Sequence, residues 1–117
     1  MSYEVTQDDF DALVAAALDE IPAELAREIE NVAVLVEDWP PPGSRLLGLY
    51  EGVPLTKRGP IGYSGVMPDR ITIFRGPLCA RARDADDLAA QVRVTVLHEI
   101  GHYFGMDDHR LRELGWA

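Results

Sequence analysis

Two histidines and a glutamate near the end of the chain have the spacing of a metal site that activates water. His98, Glu99 and His102 form the pattern HExxH. On a helix, residues four apart lie on one face, one turn above the other, so both imidazoles can reach a single metal ion. Glu99 lies about 100° round the helix from His98. Its carboxylate can therefore reach a water bound to the metal and remove a proton from it. The spacing predicts metal-assisted hydrolysis.

The residues after His102 supply a turn and a further ligand. Gly105 stands where a helix must end if the chain is to fold back toward the metal. Three residues later comes Asp108, which completes the pattern HExxHxxGxxD. A carboxylate oxygen suits zinc, so Asp108 is the favoured third ligand beside the two motif histidines, and Zn²⁺ is the predicted cofactor. His109 is a better zinc ligand by chemistry but is one residue out of register, and Asp107 is a further candidate, so both alternatives stay open.

Two simpler explanations of the motif account for less of the sequence. A solvated helical face needs no metal, but it gives no reason for the glycine and aspartate spacing. A structural zinc site is usually closed and rich in cysteine, whereas the chain has one cysteine, Cys79, distant in sequence from the histidines. We expect Cys79 to be a buried thiol. The motif therefore favours an open site with Glu99 as general base.

The bulk composition excludes several classes of partner. A chain of 117 residues fits one domain, residues 1–117. Its net charge of -9 argues against nucleic acid, because a phosphate-binding surface needs clustered lysine and arginine. No stretch approaches the length of a membrane span, and no basic region followed by an apolar run resembles a secretory signal. We therefore expect a cytoplasmic protein with no nucleic-acid or membrane partner. The sequence does not give the oligomeric state.

The pattern of apolar residues predicts helices followed by strands and a final helical region. Thr6 resembles a helix cap before an apolar repeat, and Pro22 fits the first turn of a short second helix. Three apolar segments are predicted strands: residues 32–36, 46–50 and 70–75. A long helix opens at residues 84–87, and its apolar positions recur every four residues at Leu88, Val92, Val96 and Ile100. A last short helix is predicted over residues 108–114. This order indicates an α+β fold.

The motif residues also resemble a known superfamily. His98, Glu99, His102, Gly105 and Asp108 match the HExxHxxGxxH/D pattern of the zincin metallopeptidases. More closely, the chain resembles the small bacterial zincin-like proteins sometimes called mini-zincins. LLGLYEGVPLTKRG at residues 46–59 and ITIFRGPL at residues 71–78 look like their characteristic segments, so the resemblance covers most of the chain.

The resemblance implies a fold and a reaction. The expected fold is a three- to four-stranded mixed sheet flanked by helices, with HExxH on the active-site helix and Glu99 as general base. In larger zincins an edge strand lines the cleft and pairs with extended peptide, and residues 70–75 are our candidate for that strand. Tyr63 and Tyr103 are candidate donors to a developing oxyanion.

Two functions follow as hypotheses. The first is a zinc-dependent metallopeptidase that hydrolyses peptide bonds in a peptide or protein substrate. The alternative is a metal-binding module without catalysis, whose site serves stability or the binding of a peptide or partner. The presence of Glu99 favours the first.

Overall fold

A computed structural model describes residues 3–54 and 68–117 of the chain. Within these residues the chain forms two helices, then three strands, then three more helices. Their order is α1 (Gln7–Leu18), α2 (Ala23–Ala26), β1 (Val32–Glu37), β2 (Gly48–Glu51), β3 (Asp69–Phe74), α3 (Arg75–Arg81), α4 (Ala85–Tyr103) and α5 (Asp108–Leu114). None of the helices in the described part of the chain is long and apolar enough to span a membrane.

The three strands form one mixed sheet with the order β1-β3-β2. β1 runs parallel to β3, and β2 runs antiparallel to it. With helices packed on this sheet, the α+β fold predicted from the sequence is confirmed, as a three-stranded mixed sheet. The predicted strands at residues 32–36 and 46–50 correspond to β1 and β2, although β2 begins two residues later, at Gly48.

The third predicted strand is the central strand of the sheet, whereas the sequence made it our candidate for an edge strand. Residues 70–75 correspond to β3, which pairs with a strand on each side and is the centre of the sheet, not an edge. Ile71, Thr72 and Ile73 are all buried, so both faces of β3 are covered. The antiparallel edge strand that packs on α4 is β2. Residues 70–75 are therefore not the edge strand that was our candidate for pairing with a peptide.

α3 was not predicted from the sequence. It begins at Arg75, directly after β3, and its third residue is Pro77. Proline is tolerated in the first turn of a helix because the amide hydrogens there have no partner within the helix. The Arg75 side chain fixes this junction, since it donates hydrogen bonds to Oδ1 of Asp38 at 3.0 Å and to the carbonyl of Val5 at 2.9 Å.

α4 is the element that carries the motif, and its apolar stripe is the centre of the core. The four residues predicted from the four-residue repeat are all at most 1% exposed: Leu88, Val92, Val96 and Ile100. Each such side chain contributes roughly 1.5–3 kcal/mol on full burial. α1 packs against α4 and adds Phe10, Val14 and Ala17 to the same cluster. Deep burial on one side of α4 fixes which side is left for the site.

Capping residues set where the helices begin. Thr6 accepts a hydrogen bond from the amide of Asp9 at the start of α1, as predicted. Asp84 caps α4 by accepting from the amide of Asp87 at 2.8 Å. Asp87 in turn accepts from the Arg83 amide, and this hydrogen bond is the main reason that the pKa of Asp87 lies below its usual value.

α4 and α5 both end in a glycine with left-handed backbone. After α4, Gly105 has φ 79°, its amide donates to the carbonyl of His102, and the next amide, of Met106, donates to the carbonyl of Gly101. This hydrogen-bond pair is a Schellman motif, which only a residue with positive φ can complete. The predicted stop at Gly105 is confirmed, and the chain turns back to begin α5 at Asp108, also as predicted.

Candidate metal centre

The last two turns of α4 bring three potential ligands together. His98, Glu99 and His102 each offer one ligand atom, and these atoms lie within 4.8 Å of one another. The two imidazole rings are 4.5 Å apart between centroids and lie edge to face. Their closeness follows from the four-residue spacing on a helix. The sequence prediction that both histidines serve one site therefore agrees with where the structure places them.

His98 has a fixed hydrogen bond on one ring nitrogen. Its Nδ1 lies 2.9 Å from the carbonyl oxygen of Trp116. Because a carbonyl only accepts, this contact requires the proton of a neutral imidazole on Nδ1 and leaves a lone pair on Nε2. Nε2 of His98 is thus the atom available to a metal ion.

Glu99 and His102 are hydrogen-bonded to each other. Nδ1 of His102 lies 3.1 Å from Oε1 of Glu99, which again favours a proton on Nδ1 and a free lone pair on Nε2 of His102. The Glu99 side chain is only 9% exposed, whereas that of His102 is 39% exposed. A carboxylate in such a position is shielded from bulk water yet in contact with a ligand of the site.

The chemistry of this donor set fits a zinc ion. Two imidazoles with unprotonated Nε2 atoms and a neighbouring carboxylate are the ligand types that zinc takes in sites that keep a position for substrate. Cys79, on α3, is buried in the core and does not join the group. The residues present therefore suit the ion that the sequence predicts.

The three candidates for the third ligand lie at the start of α5. Asp107 caps this helix, with Oδ1 accepting from the amide of Arg110 at 2.9 Å. His109 is exposed and lies 3.7 Å from the carboxylate of Glu113 on the same helix. Asp108 is the first residue of α5 and is exposed. None of the three belongs to the group formed on α4, so the assignment of Asp108 as a metal ligand stays a prediction.

The structure describes one of the two candidate oxyanion donors. Tyr103 is fully buried, and its hydroxyl donates to the carbonyl of Glu30 and accepts from the Glu30 amide. Because backbone groups hold this hydroxyl in the core, Tyr103 serves packing, and it is not the oxyanion donor for which it was one of two candidates. Tyr63 lies outside the described residues, as do residues 55–59 of the segment that resembles the mini-zincins.

An apolar pocket opens beside His98. It has a volume of about 310 Å³ and lies between the second half of α4 and the segment leading into β2. Its lining includes Leu46, Leu47, Val94, Thr95, His98 and Glu99. A second pocket of about 370 Å³ shares Leu47, Val94 and Thr95 with it and continues along α4 toward Gln91. Sequence reasoning missed this surface, because it is assembled from two segments distant along the chain.

Comparison with known proteins indicates the family of the chain. The model of the family described as zincin-like metallopeptidase matches residues 29–116. Among solved structures, a conserved hypothetical protein from T. thermophilus has a similar fold, with a TM-score of 0.56 and 28% sequence identity over 94% of this chain and 97% of that chain. No curated protein matches. Since the family model spans most of the chain, including the whole motif helix, this protein belongs to the zincin-like metallopeptidase family.

Proposed function

We propose that this protein is a zinc-dependent peptidase in which His98, His102 and Asp108 hold the metal and Glu99 is the general base. One observation carries the proposal: His98 and Glu99, which form one group of possible ligands with His102, also line an apolar pocket beside β2. A carboxylate without a pocket would have no substrate to act on, and a pocket without these ligands would have no means of activating water.

The chemistry divides between the ion and the protein. A zinc ion held by the imidazoles would supply Lewis acidity, which makes water easier to deprotonate and a carbonyl easier to attack. Glu99 takes the proton from the attacking water as the new carbon–oxygen bond forms. It then gives that proton to the leaving amine as the carbon–nitrogen bond breaks. The low exposure of the Glu99 side chain limits competition from bulk water for this proton.

β2 and the pocket supply a way to hold a peptide. β2 is an edge strand among the described residues, and Gly48 at its start lines the pocket. An extended peptide lying along the pocket would point alternate side chains to one face. We propose that one of these side chains is apolar and enters the pocket between Leu47 and Val94.

The contact between Glu99 and His102 favours a second function, metal binding without catalysis. Oε1 of Glu99 is already hydrogen-bonded to Nδ1 of His102, and Glu99 itself belongs to the group of possible ligands. If Glu99 binds the metal as a third ligand, no base is left for water. The protein is then a metal-binding module whose pocket takes a peptide without cleaving it.

Two variants separate these functions. Zinc-loaded wild-type protein is incubated with a mixture of unstructured peptides, and the products are identified by mass spectrometry. Glu99→Gln removes the base but keeps the size of the side chain, while Glu113→Gln is a matched control because Glu113 is 51% exposed and outside the ligand group. The peptidase predicts zinc in all three proteins and cleavage by all except Glu99→Gln.

Two other results would contradict the proposed peptidase mechanism. Cleavage that survives in Glu99→Gln would remove Glu99 from the mechanism. Loss of zinc from Glu99→Gln, together with no cleavage by wild-type protein, would support the metal-binding module.

A further inference from the structure

The His98 imidazole is held by a part of the chain that the motif does not include. Its Nδ1 donates to the carbonyl oxygen of Trp116, 18 residues later, at 2.9 Å. His102 instead has the Glu99 carboxylate as its partner. The two histidines of one motif are therefore oriented by different means, the first by backbone and the second by a side chain.

The carbonyl of Trp116 is in a fixed position. α5 ends in a second Schellman motif: the Trp116 amide donates to the carbonyl of Leu111 at 2.8 Å, and the amide of Gly115 donates to the carbonyl of Arg112 at 3.1 Å. Gly115 has φ 77°, a conformation that side chains rarely adopt. Trp116 is 4% exposed and belongs to the core. The turn at Gly115 and the burial of Trp116 together fix the position of the Trp116 carbonyl, which accepts the hydrogen bond from His98.

Leu111 of α5 also packs against the motif turn of α4, at Gly101. A Cβ added to Gly101 would collide with Cδ2 of Leu111, so the Leu111 side chain fills the space that the missing side chain of Gly101 leaves. Leu111 is fully buried. This contact joins α5, the helix that precedes Trp116, to α4.

We propose that Gly115 and Trp116 form a positioning clamp for the metal ligand His98. The clamp sets the ring orientation and keeps the proton on Nδ1, so that Nε2 has its lone pair ready before the ion arrives. Partners of this kind change metal affinity by about 10- to 100-fold when they are removed. The inference rests on the proposed metal site, since a clamp on His98 affects metal only if His98 is a ligand.

Gly115 offers a test that leaves the side chains of the site unchanged. A Cβ at Gly115 would meet no atom within 4 Å, so substitutions there act through the backbone. Valine strongly disfavours positive φ, whereas asparagine tolerates it. Gly115→Val should open the turn and move the Trp116 carbonyl, and Gly115→Asn is the conservative control. Gly115→Ala is an intermediate variant, to be used if Gly115→Val does not fold.

Two readouts are needed, and one requires no metal. Zinc affinity is measured by competition with a chelator. The protonated ring nitrogen of His98 is identified by ¹⁵N NMR on metal-free protein at a pH above the ordinary imidazole pKa of about 6.5. We expect Gly115→Val, or Gly115→Ala, to bind zinc about 10-fold more weakly or worse and to lose the single Nδ1-protonated form. Gly115→Asn should keep both properties.

The outcomes distinguish this inference from the proposed function. If wild-type protein binds no zinc, the proposed metal site is wrong and the clamp has no ligand to position. If wild-type protein binds zinc and the folded valine or alanine variant binds it equally tightly, the metal site stands and the clamp is wrong. A wild-type His98 without a preference for the Nδ1 proton would also overturn the clamp.

Discussion

Gly48 of β2 lies directly against Glu99 of α4. A methyl group at Gly48 would be 3.2 Å from Cγ of Glu99 and 3.0 Å from Cγ2 of Thr95. The absence of a side chain at Gly48 therefore leaves room for the side chain of Glu99, the proposed base, between the edge strand and the motif helix.

Gly48→Ala should destabilise the fold and displace Glu99. Overpacking a tight contact costs about 1–3 kcal/mol, so we expect a lower unfolding temperature and lower peptidase activity. Thr95→Ser removes the nearer methyl group but keeps the hydroxyl that donates to the Gln91 carbonyl at 2.7 Å. The double variant should regain stability but not full activity, because the contact with Glu99 remains. Full recovery of activity would show that Glu99 does not depend on this space.

Asp108→Ala should release zinc with little effect on the metal-free fold. Asp108 is exposed, so its removal loses no core packing. Asp107→Ala is the matched control, since it removes the cap of α5 and should cost about 0.5–2 kcal/mol of stability while zinc stays bound. Chelator competition and thermal unfolding measure the two effects. Retention of zinc in Asp108→Ala with unchanged affinity would move the third ligand elsewhere.

Val94→Asp should impair substrate binding and leave the metal in place. Val94 lines both apolar pockets but is outside the ligand group. A carboxylate there disfavours an apolar side chain of a substrate, and we expect kcat/KM to fall about 10-fold or more with an unchanged zinc content. Ala16→Asp, at an exposed position of α1, adds the same charge elsewhere. Equal activity in the two variants would show that the pocket does not receive substrate.

Asp87→Asn should lower stability in a pH-dependent manner. The hydrogen bond from the Arg83 amide is the main reason that the pKa of Asp87 lies below its usual value in the folded protein. A carboxylate with a lowered pKa stabilises the fold above the unfolded value and loses this contribution as the pH falls through the folded value.

The difference in unfolding temperature between wild-type protein and Asp87→Asn should therefore be present at neutral pH and should close in acid. Asp86→Asn, one residue earlier in the same turn, is the control for a general change of charge. A difference that is constant over this pH range would contradict the assigned cause.

Local sequence rules predicted the elements that carry the motif. The four-residue apolar repeat gave the buried face of α4, and Gly105 gave its end, because both depend on residues adjacent along one helix. The bounds of α5 were predicted correctly for the same reason. The pairing of His98 with His102 needed only helix geometry.

Features that join distant segments were not predicted. The alternation in residues 70–75 indicated a strand but not its neighbours, so β3 was taken as a candidate edge when it is central. The Trp116 carbonyl is a backbone atom, and no residue type signals that it meets His98. The one available signal was Gly115, near the end of a predicted helix, which indicates a Schellman turn and hence a chain that folds back.

Zinc content tests the central claim most directly. The protein is purified without an affinity tag, loaded with zinc, dialysed and analysed for metal, alongside His98→Ala, His102→Ala and the control His109→Ala, whose imidazole is 77% exposed and outside the ligand group. We predict close to one zinc ion per chain in wild-type protein and in the control, and loss of zinc from the other two variants. No zinc in wild-type protein, or undiminished zinc in both His98→Ala and His102→Ala, would contradict the assigned metal centre.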